Sequence, residues 1–190
     1  DEDERECVHG VSMLSRNAAR SDAPCRPAMA SPKFTVMDFP PVESHRDSYT
    51  ISTDPDRLDI GAIHAYLTRS YWSTGIPRET VARAVRNSLC FGLYDDSIGA
   101  QIGLSRVITD GATFAYLCDV FVLEAHRGAG LGKWMMGVVL AHPNLQGLRR
   151  FLLATRDAHS MYEKFGFTPV ARPQNFMNIH RPNIYERPAS

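Results

Sequence analysis

Apolar residues recur along the chain with two different periods, and each period predicts one kind of secondary structure. The run YTIS at 49–52 predicts a short first strand. A first helix is predicted by residues at three- and four-residue intervals after an aspartate cap: Ile60, Ile63, Leu67 and Tyr71. Pro77 marks the start of a second helix, in which Val81 and Val85 share one face.

Three strand-like runs occupy the middle of the chain, at residues 88–95, 99–110 and 113–123. The first two runs are separated by Asp95-Asp96 and the last two by Asp110-Gly111, which are pairs of residues that favour hairpin turns. These runs therefore predict strands joined by short hairpins.

Helices and strands alternate in the C-terminal part of the predicted pattern. One helix is expected from about Leu131 to Leu140, ended by Pro143, and a short one over 157–165 that ends at Gly166. Further strands are predicted at 149–155, 167–171 and 176–180. The predicted order is strand, two helices, three strands, helix, strand, helix and two strands.

In residues 1–47 the apolar residues follow neither the helical nor the strand period. They begin with the acidic run DEDERE and continue with a mixture of Ser, Ala, Arg and Pro. Such a segment buries too little apolar surface to offset the entropy of ordering it, so a disordered tail is predicted, followed by one domain at 48–190. The acidic run also argues against a transit peptide, which the Arg- and Ser-containing part faintly resembles.

Charge and hydropathy narrow the classes of partner. The 190 residues carry 21 Lys+Arg and 21 Asp+Glu, a formal net charge of zero, which argues against broad nucleic-acid binding. No apolar run reaches the roughly 18 residues that span a bilayer, so no membrane partner is expected. Because residues 1–47 hold nine acidic and six basic side chains, residues 48–190 carry a net charge of +3. That charge suits an anionic small ligand.

Cysteine and histidine positions give no sign of a disulfide or a metal site. The four cysteines have no CxxC spacing, and Cys90 and Cys118 lie in apolar runs typical of buried free thiols. A reducing, cytoplasmic location is therefore expected. The seven histidines are scattered without a HExxH pair, so no metal is expected.

The stretch HRGAGLGKWMM at 126–136 places Gly128, Gly130 and Gly132 between a predicted strand and a predicted helix. The first amides of a helix lack internal partners, and small residues let an anion approach them, so this loop predicts a phosphate site. The spacing is not GxGxxG, and Lys133 is followed by tryptophan rather than by the hydroxyl residue of a P-loop.

The loop matches R-x-x-G-x-G through Arg127, Gly130 and Gly132, and MYEKFGF at 161–167 matches a later Y-x-x-x-G-F segment. With these two motifs the chain resembles the GNAT superfamily of acetyl-CoA-dependent N-acetyltransferases over roughly residues 49–187. The resemblance implies an α/β (α+β) fold, with a mixed, largely antiparallel sheet flanked by helices.

The resemblance also implies where acetyl-CoA binds. The pyrophosphate is expected on the glycine loop, which comprises Arg127, Gly128, Ala129, Gly130, Leu131, Gly132 and Lys133. The end of the preceding strand is expected to splay from its neighbour and pair with the pantetheine amides through Val120, Phe121 and Val122. Thr155 stands where many members have a cofactor-contacting asparagine, and its hydroxyl can hydrogen-bond instead. Lys133 either meets a phosphate or is a solvated helix residue.

Two residues are expected to act on the reacting groups. Tyr162 is the expected general acid, because a phenol near the leaving thiolate can protonate it or stabilise it. Asp119 lies within an apolar strand, where a carboxylate needs a partner or a cavity. It either pairs with an arginine or a turn, or holds the substrate ammonium. Glu124 is a second, weaker candidate for the base.

The activity implied by the resemblance is transfer of acetyl from acetyl-CoA to a primary amine by direct attack in a ternary complex. A small-molecule acceptor is favoured over a protein N-terminus or lysine. A non-catalytic acyl-CoA-binding module on the same fold is the other alternative. The protein is expected to be a monomer or a homodimer.

Overall fold

Six strands form one sheet whose spatial order is the order of the chain. The computed structural model describes residues 40–185. The strands are β1 Glu43–Arg46, β2 Tyr49–Ser52, β3 Leu89–Asp95, β4 Ala100–Thr109, β5 Phe114–Val122 and β6 Arg150–Leu153. Strands β1 to β5 pair antiparallel in sequence, and β6 pairs parallel with β5. The sheet is therefore mixed and largely antiparallel, as predicted.

Four helices connect the strands: α1 Ile60–Leu67, α2 Arg78–Arg86, α3 Leu131–Ala141 and α4 His159–Glu163. Asp59 caps α1 by accepting hydrogen bonds from the backbone of Gly61 and Ala62. Pro77 precedes α2, as the sequence indicated. None of the helices among residues 40–185 combines the length and the apolar character needed to cross a bilayer.

The core has two parts, one on each face of the sheet. On one face, α3 buries Met135 and Val139 against strand residues such as Phe91. On the other face, α1 and α2 bury residues such as Val81 against Phe121 of β5. Side chains that alternate along β5 therefore go to opposite faces, with Val120 and Val122 on the side of α3 and Phe121 on the side of α1 and α2.

The two strands predicted after α4 are absent, so that part of the prediction was wrong. Residues 167–171 and 176–180 have no strand hydrogen bonding. Pro169 cannot donate to a ladder, and Met177 and Ile179 are 98% and 91% exposed. A segment with alternating apolar residues forms a strand only when those residues are buried against a sheet, and these residues are not.

Strand β1 lies inside the segment predicted as a tail, so the tail boundary at residue 47 was placed too late. β1 and β2 form a hairpin in which Arg46 pairs with Tyr49. Asp47 in the turn has φ +53°. The strand residues ESHR have no apolar alternation, which is why the pattern did not indicate them. Residues 1–39, the rest of the predicted tail, lie outside the described residues.

Candidate active site

The parallel strands β5 and β6 separate before β5 ends. Their pairing runs from Phe114 opposite Arg150 to Leu117 opposite Leu153, where β6 stops. β5 continues for five more residues, to Val122, with no partner on that side. The expected splay at this end of the sheet is therefore present, and it opens a cleft between the two strands.

On the side that pairs with β4, β5 carries a β-bulge within the same stretch of the strand. Leu104 pairs with Phe121 and Arg106 with Cys118, so two residues of β5 face a single residue of β4. One of the two is Asp119, whose φ of +52° is left-handed. For a residue other than glycine this conformation costs about 1–2 kcal/mol. The bulge therefore needs compensating contacts.

Those contacts come from the carboxylate of Asp119. Arg106 Nε donates to Asp119 Oδ2 at 2.7 Å, and Trp72 Nε1 donates to Oδ1 at 3.1 Å. The Arg106 and Asp119 side chains are only 14% and 11% exposed. Burial by itself lowers the pKa of Arg106, but the charge and hydrogen bond of the Asp119 carboxylate, together with contributions from Cys118 and Cys90, leave the net pKa raised. Of the two alternatives open for Asp119, the arginine pair is present.

A cavity of about 820 Å³ occupies the cleft. Its walls include Asp119 from β5, Thr155 after β6, Tyr162 from α4, and Tyr71 and Trp72 after α1. The rings of Tyr71 and Trp72 meet edge to face, 4.9 Å apart, and are 50% and 41% exposed. Residues from four separate parts of the chain therefore meet around one space.

Tyr162 is buried in the wall of this cavity, with 8% of its surface exposed. Burial, with a smaller contribution from Tyr71, raises its pKa to about 12. The ring packs against Phe167, with centroids 5.8 Å apart. Thr155 lines the same cavity, and its Oγ1 accepts the backbone N–H of Ala158 at 3.1 Å, ahead of α4. Its own hydroxyl proton can still be donated.

The glycine loop leads directly into α3. Gly130 is the N-cap with φ +73°, no side chain caps the helix, and the first backbone bond joins Trp134 N–H to the Gly130 carbonyl. The amides before Trp134 therefore have no partner within the helix. A Cβ added at Gly128 would meet nothing within 4 Å, and one at Gly132 only a Val122 methyl at 4.0 Å. The loop surface is open, so an anionic group can reach these amides.

Arg127 braces the loop against the end of β5. Its Nε donates to the Val122 carbonyl at 2.9 Å, and its Nη2 donates to Tyr66 Oη at 3.1 Å and Glu124 Oε1 at 3.0 Å. The Glu124 side chain is 72% exposed and is held in this ion pair. The structure therefore places Glu124 in the brace, while Tyr162 and Asp119 line the cavity.

Sequence reasoning missed two arginines at the site. Arg106, the partner of Asp119, lies on β4, and no sequence spacing relates the two residues. Arg46, at the end of β1, donates to the Ala129 carbonyl in the glycine loop at 2.6 Å. The turn residues between β1 and β2 were the only available signal for Arg46. Within residues 40–185, no group of three or more acidic, histidine or cysteine side chains is arranged to hold a metal ion.

Comparison with known proteins identifies the family. Residues 86–169 match the model of the acetyltransferase (GNAT) domain. A candidate acetyltransferase of Gibberella zeae is 38% identical over 140 residues, which cover 63% of this chain and 78% of that protein.

Solved structures agree with this match. A candidate GNAT acetyltransferase of Xanthomonas campestris pv. campestris has 50% identity and a TM-score of 0.72, covering 75% of this chain and all of that one. A GNAT acetyltransferase of Elizabethkingia anophelis with acetyl-CoA bound shares the fold at 14% identity and a TM-score of 0.51, over 70% and 88% of the two chains. The chain belongs to the GNAT acetyltransferase family.

Proposed function

We propose that this acetyltransferase moves an acetyl group from acetyl-CoA to the primary amine of a small molecule, by direct attack within one ternary complex. The observation that carries the proposal is the cavity at the splayed end of β5, which Tyr162 and Asp119 line together. The glycine loop follows the same strand end, so an acyl donor held on the loop has a route into this cavity.

The chain offers backbone groups along that whole route. The amides of Gly128 to Lys133 bind the pyrophosphate, because they lie at the positive end of the α3 dipole. The unpaired edge of β5 at Val120, Phe121 and Val122 binds the pantetheine amides and donates an N–H to the thioester carbonyl. Acetyl-CoA supplies the acyl group in activated form, as a thioester. The acetyl-CoA bound in the Elizabethkingia anophelis relative supports this choice of donor.

Tyr162 stabilises the leaving thiolate by donating a hydrogen bond. Its pKa of about 12 keeps the hydroxyl protonated throughout the physiological range. Full proton transfer from such a phenol to a thiolate of pKa about 8.5 is uphill by roughly 5 kcal/mol. A hydrogen bond that strengthens as negative charge develops on sulfur needs no such transfer. We therefore assign Tyr162 as the donor to the leaving group.

Asp119 acts as a positioning residue for the acceptor. Its two oxygens already accept hydrogen bonds from Arg106 and Trp72, so neither oxygen is free of a partner. The bond to Oδ1 holds the indole of Trp72 in the cavity wall. The acceptor amine is therefore oriented by a rigid wall rather than deprotonated by a free carboxylate.

The size and walls of the cavity support a small acceptor. A volume of about 820 Å³ is within the range of small-molecule sites, roughly 300–1,000 Å³. Trp72 presents a partly exposed aromatic face on one side, and so does Tyr71 where the guanidinium of Arg156 does not cover its ring. Such faces contact an apolar or planar substrate at little entropic cost.

The test is release of free CoA from acetyl-CoA against a panel of small primary amines and N-terminal peptides, with the acetylated product identified by mass spectrometry. We expect release with at least one small amine. Turnover with peptides alone would contradict the small-molecule acceptor and indicate a protein acetyltransferase. CoA binding without turnover of any acceptor would favour the binding-module alternative.

A further inference from the structure

The tip of the β1–β2 hairpin lies beside the glycine loop. Arg46 is the last residue of β1, and its Nη2 donates to the carbonyl of Ala129, 83 residues away in sequence, at 2.6 Å. A hydrogen bond over such a separation fixes the hairpin tip and the loop relative to each other. The hairpin therefore extends the surface of the loop.

The guanidinium of Arg46 is held directly over the start of α3. Its Cζ lies 5.4 Å from the ring centroid of Trp134, and a Cβ built on Gly130 would be 4.0 Å from both Nη1 and Nη2. Stacking and the Ala129 bond orient the planar group before any ligand arrives. The side chain is still 39% exposed, so a ligand can reach it.

The charge of Arg46 is only weakly balanced. The carboxylate paired with it, that of Asp47, is 4.0 Å from Nε and 84% exposed, and such a pair is worth little in water. One of the five donors of the guanidinium is used by Ala129, which leaves the others for a ligand. A positive charge with free donors thus adjoins the uncapped amides of α3.

We propose that Arg46 binds phosphate oxygens of the acyl-CoA held by the glycine loop; this rests on the proposed function. A planar fork of donors matches phosphate geometry, and charge-assisted bonds of this kind are stronger than neutral ones. The phosphate belongs either to the pyrophosphate or to the 3′-phosphate of the nucleotide. The residue thereby couples the β1–β2 hairpin to cofactor affinity.

The experiment measures the affinity of Arg46→Gln for CoA and for 3′-dephospho-CoA by calorimetry. Arg83→Gln is the matched control, because Arg83 is exposed on α2, which covers the opposite face of the sheet. We expect Arg46→Gln to bind CoA about tenfold more weakly, with the control unchanged. An equal loss with both ligands identifies the pyrophosphate as the contact. A loss with CoA alone identifies the 3′-phosphate.

A second readout separates phosphate binding from a merely structural role. In Arg46→Gln, loss of a phosphate contact makes the affinity for CoA depend less steeply on salt concentration. Arg46→Lys keeps the charge, so it recovers part of the affinity and part of this salt dependence. An unchanged salt slope, or CoA affinity within twofold of the parent in a folded Arg46→Gln protein, overturns the inference and leaves the proposed function intact. Failure of the parent protein to bind CoA overturns both.

Discussion

The glycine loop and the cavity wall that contains Trp72, Asp119, Thr155 and Tyr162 are the two halves of the proposed site, and the chain builds them in opposite ways. The loop is contiguous, and most of its donors are backbone amides between Gly128 and Trp134. The wall unites side chains from four separate segments, among them Trp72, Asp119 and Tyr162. Backbone donors are common to all residues, whereas the wall depends on particular side chains meeting.

This difference determines how each half can fail. In the loop, the backbone must adopt positive φ at Gly128 and Gly130 and leave space above it. In the wall, a left-handed Asp119 is held by a buried ion pair, and removing one partner leaves an uncompensated charge. Loop changes should therefore act on cofactor affinity, and wall changes on catalysis or stability.

The largest effect is expected from Tyr162→Phe, which removes one hydroxyl and keeps the ring packed on Phe167. Acetyl transfer should slow about 100-fold or more, because the leaving thiolate loses its donor. CoA affinity should stay within about tenfold. Steady-state kinetics and calorimetry on the same protein measure both.

The pH profile of the parent checks the same assignment. Burial raises the pKa of Tyr162 to about 12, so its protonated form persists upward in pH. No falling limb from this residue is expected below about pH 11. Turnover of Tyr162→Phe within twofold of the parent would leave the tyrosine a packing residue.

Next in size is Gly130→Asp, which tests the loop half. The new side chain would be strained at φ +73°, and its carboxylate could pair with Arg46 in the place of a phosphate. CoA affinity should fall about 100-fold through strain together with charge repulsion. Gly130→Asn, which tolerates the left-handed conformation better and carries no charge, should lose much less. Equal calorimetric losses in the two variants would contradict the phosphate placement.

Asp119→Asn tests the buried pair in the wall. It should lower the free energy of unfolding by about 2–3 kcal/mol, since Arg106 is left buried without its counter-charge. Asp157→Asn is the control, because the Arg156–Asp157 pair is exposed and should contribute under about 1 kcal/mol. Urea unfolding measures both, and equal values would show that the buried pair contributes no more than the exposed pair.

Two truncations compare the predicted tail with the hairpin. Removal of residues 1–39 should leave CoA affinity unchanged. Removal of residues 1–47 also deletes β1 and Arg46, and should weaken CoA binding about tenfold and lower the melting temperature. Calorimetry and thermal melts of the two proteins test this. Identical behaviour would mean that the hairpin contributes nothing to the site.

The smallest effect is expected from Trp72→Phe, which keeps an aromatic wall and loses the indole N–H bonded to Asp119. The KM for the acceptor should rise about threefold, consistent with one neutral-to-charged bond at a partly exposed position, and the KM for acetyl-CoA should not change. Tyr71→Phe is the matched control. A change in the KM for acetyl-CoA instead would indicate that Trp72 contacts the cofactor rather than the acceptor.

Local patterns predicted most of the fold. Helical spacing located α1 and α2, and Val81 and Val85 are buried as expected. The late strands at 167–171 and 176–180 failed because strand formation depends on an available, burying neighbour, which a pattern of apolar residues does not contain. Strand β1 was missed for the converse reason, since a polar edge strand has no apolar signal.

By itself the sequence determined the glycine loop and its position between β5 and α3, because three glycines and an arginine at fixed spacing dictate a local backbone shape. The loop motif and the later MYEKFGF segment together indicated the family. Only the tertiary structure decided the partners of Asp119 and the approach of Arg46 to Ala129. Those contacts join residues 13 to 83 positions apart. Side-chain pairing over such separations depends on strand register and packing, which no short segment of the sequence determines by itself.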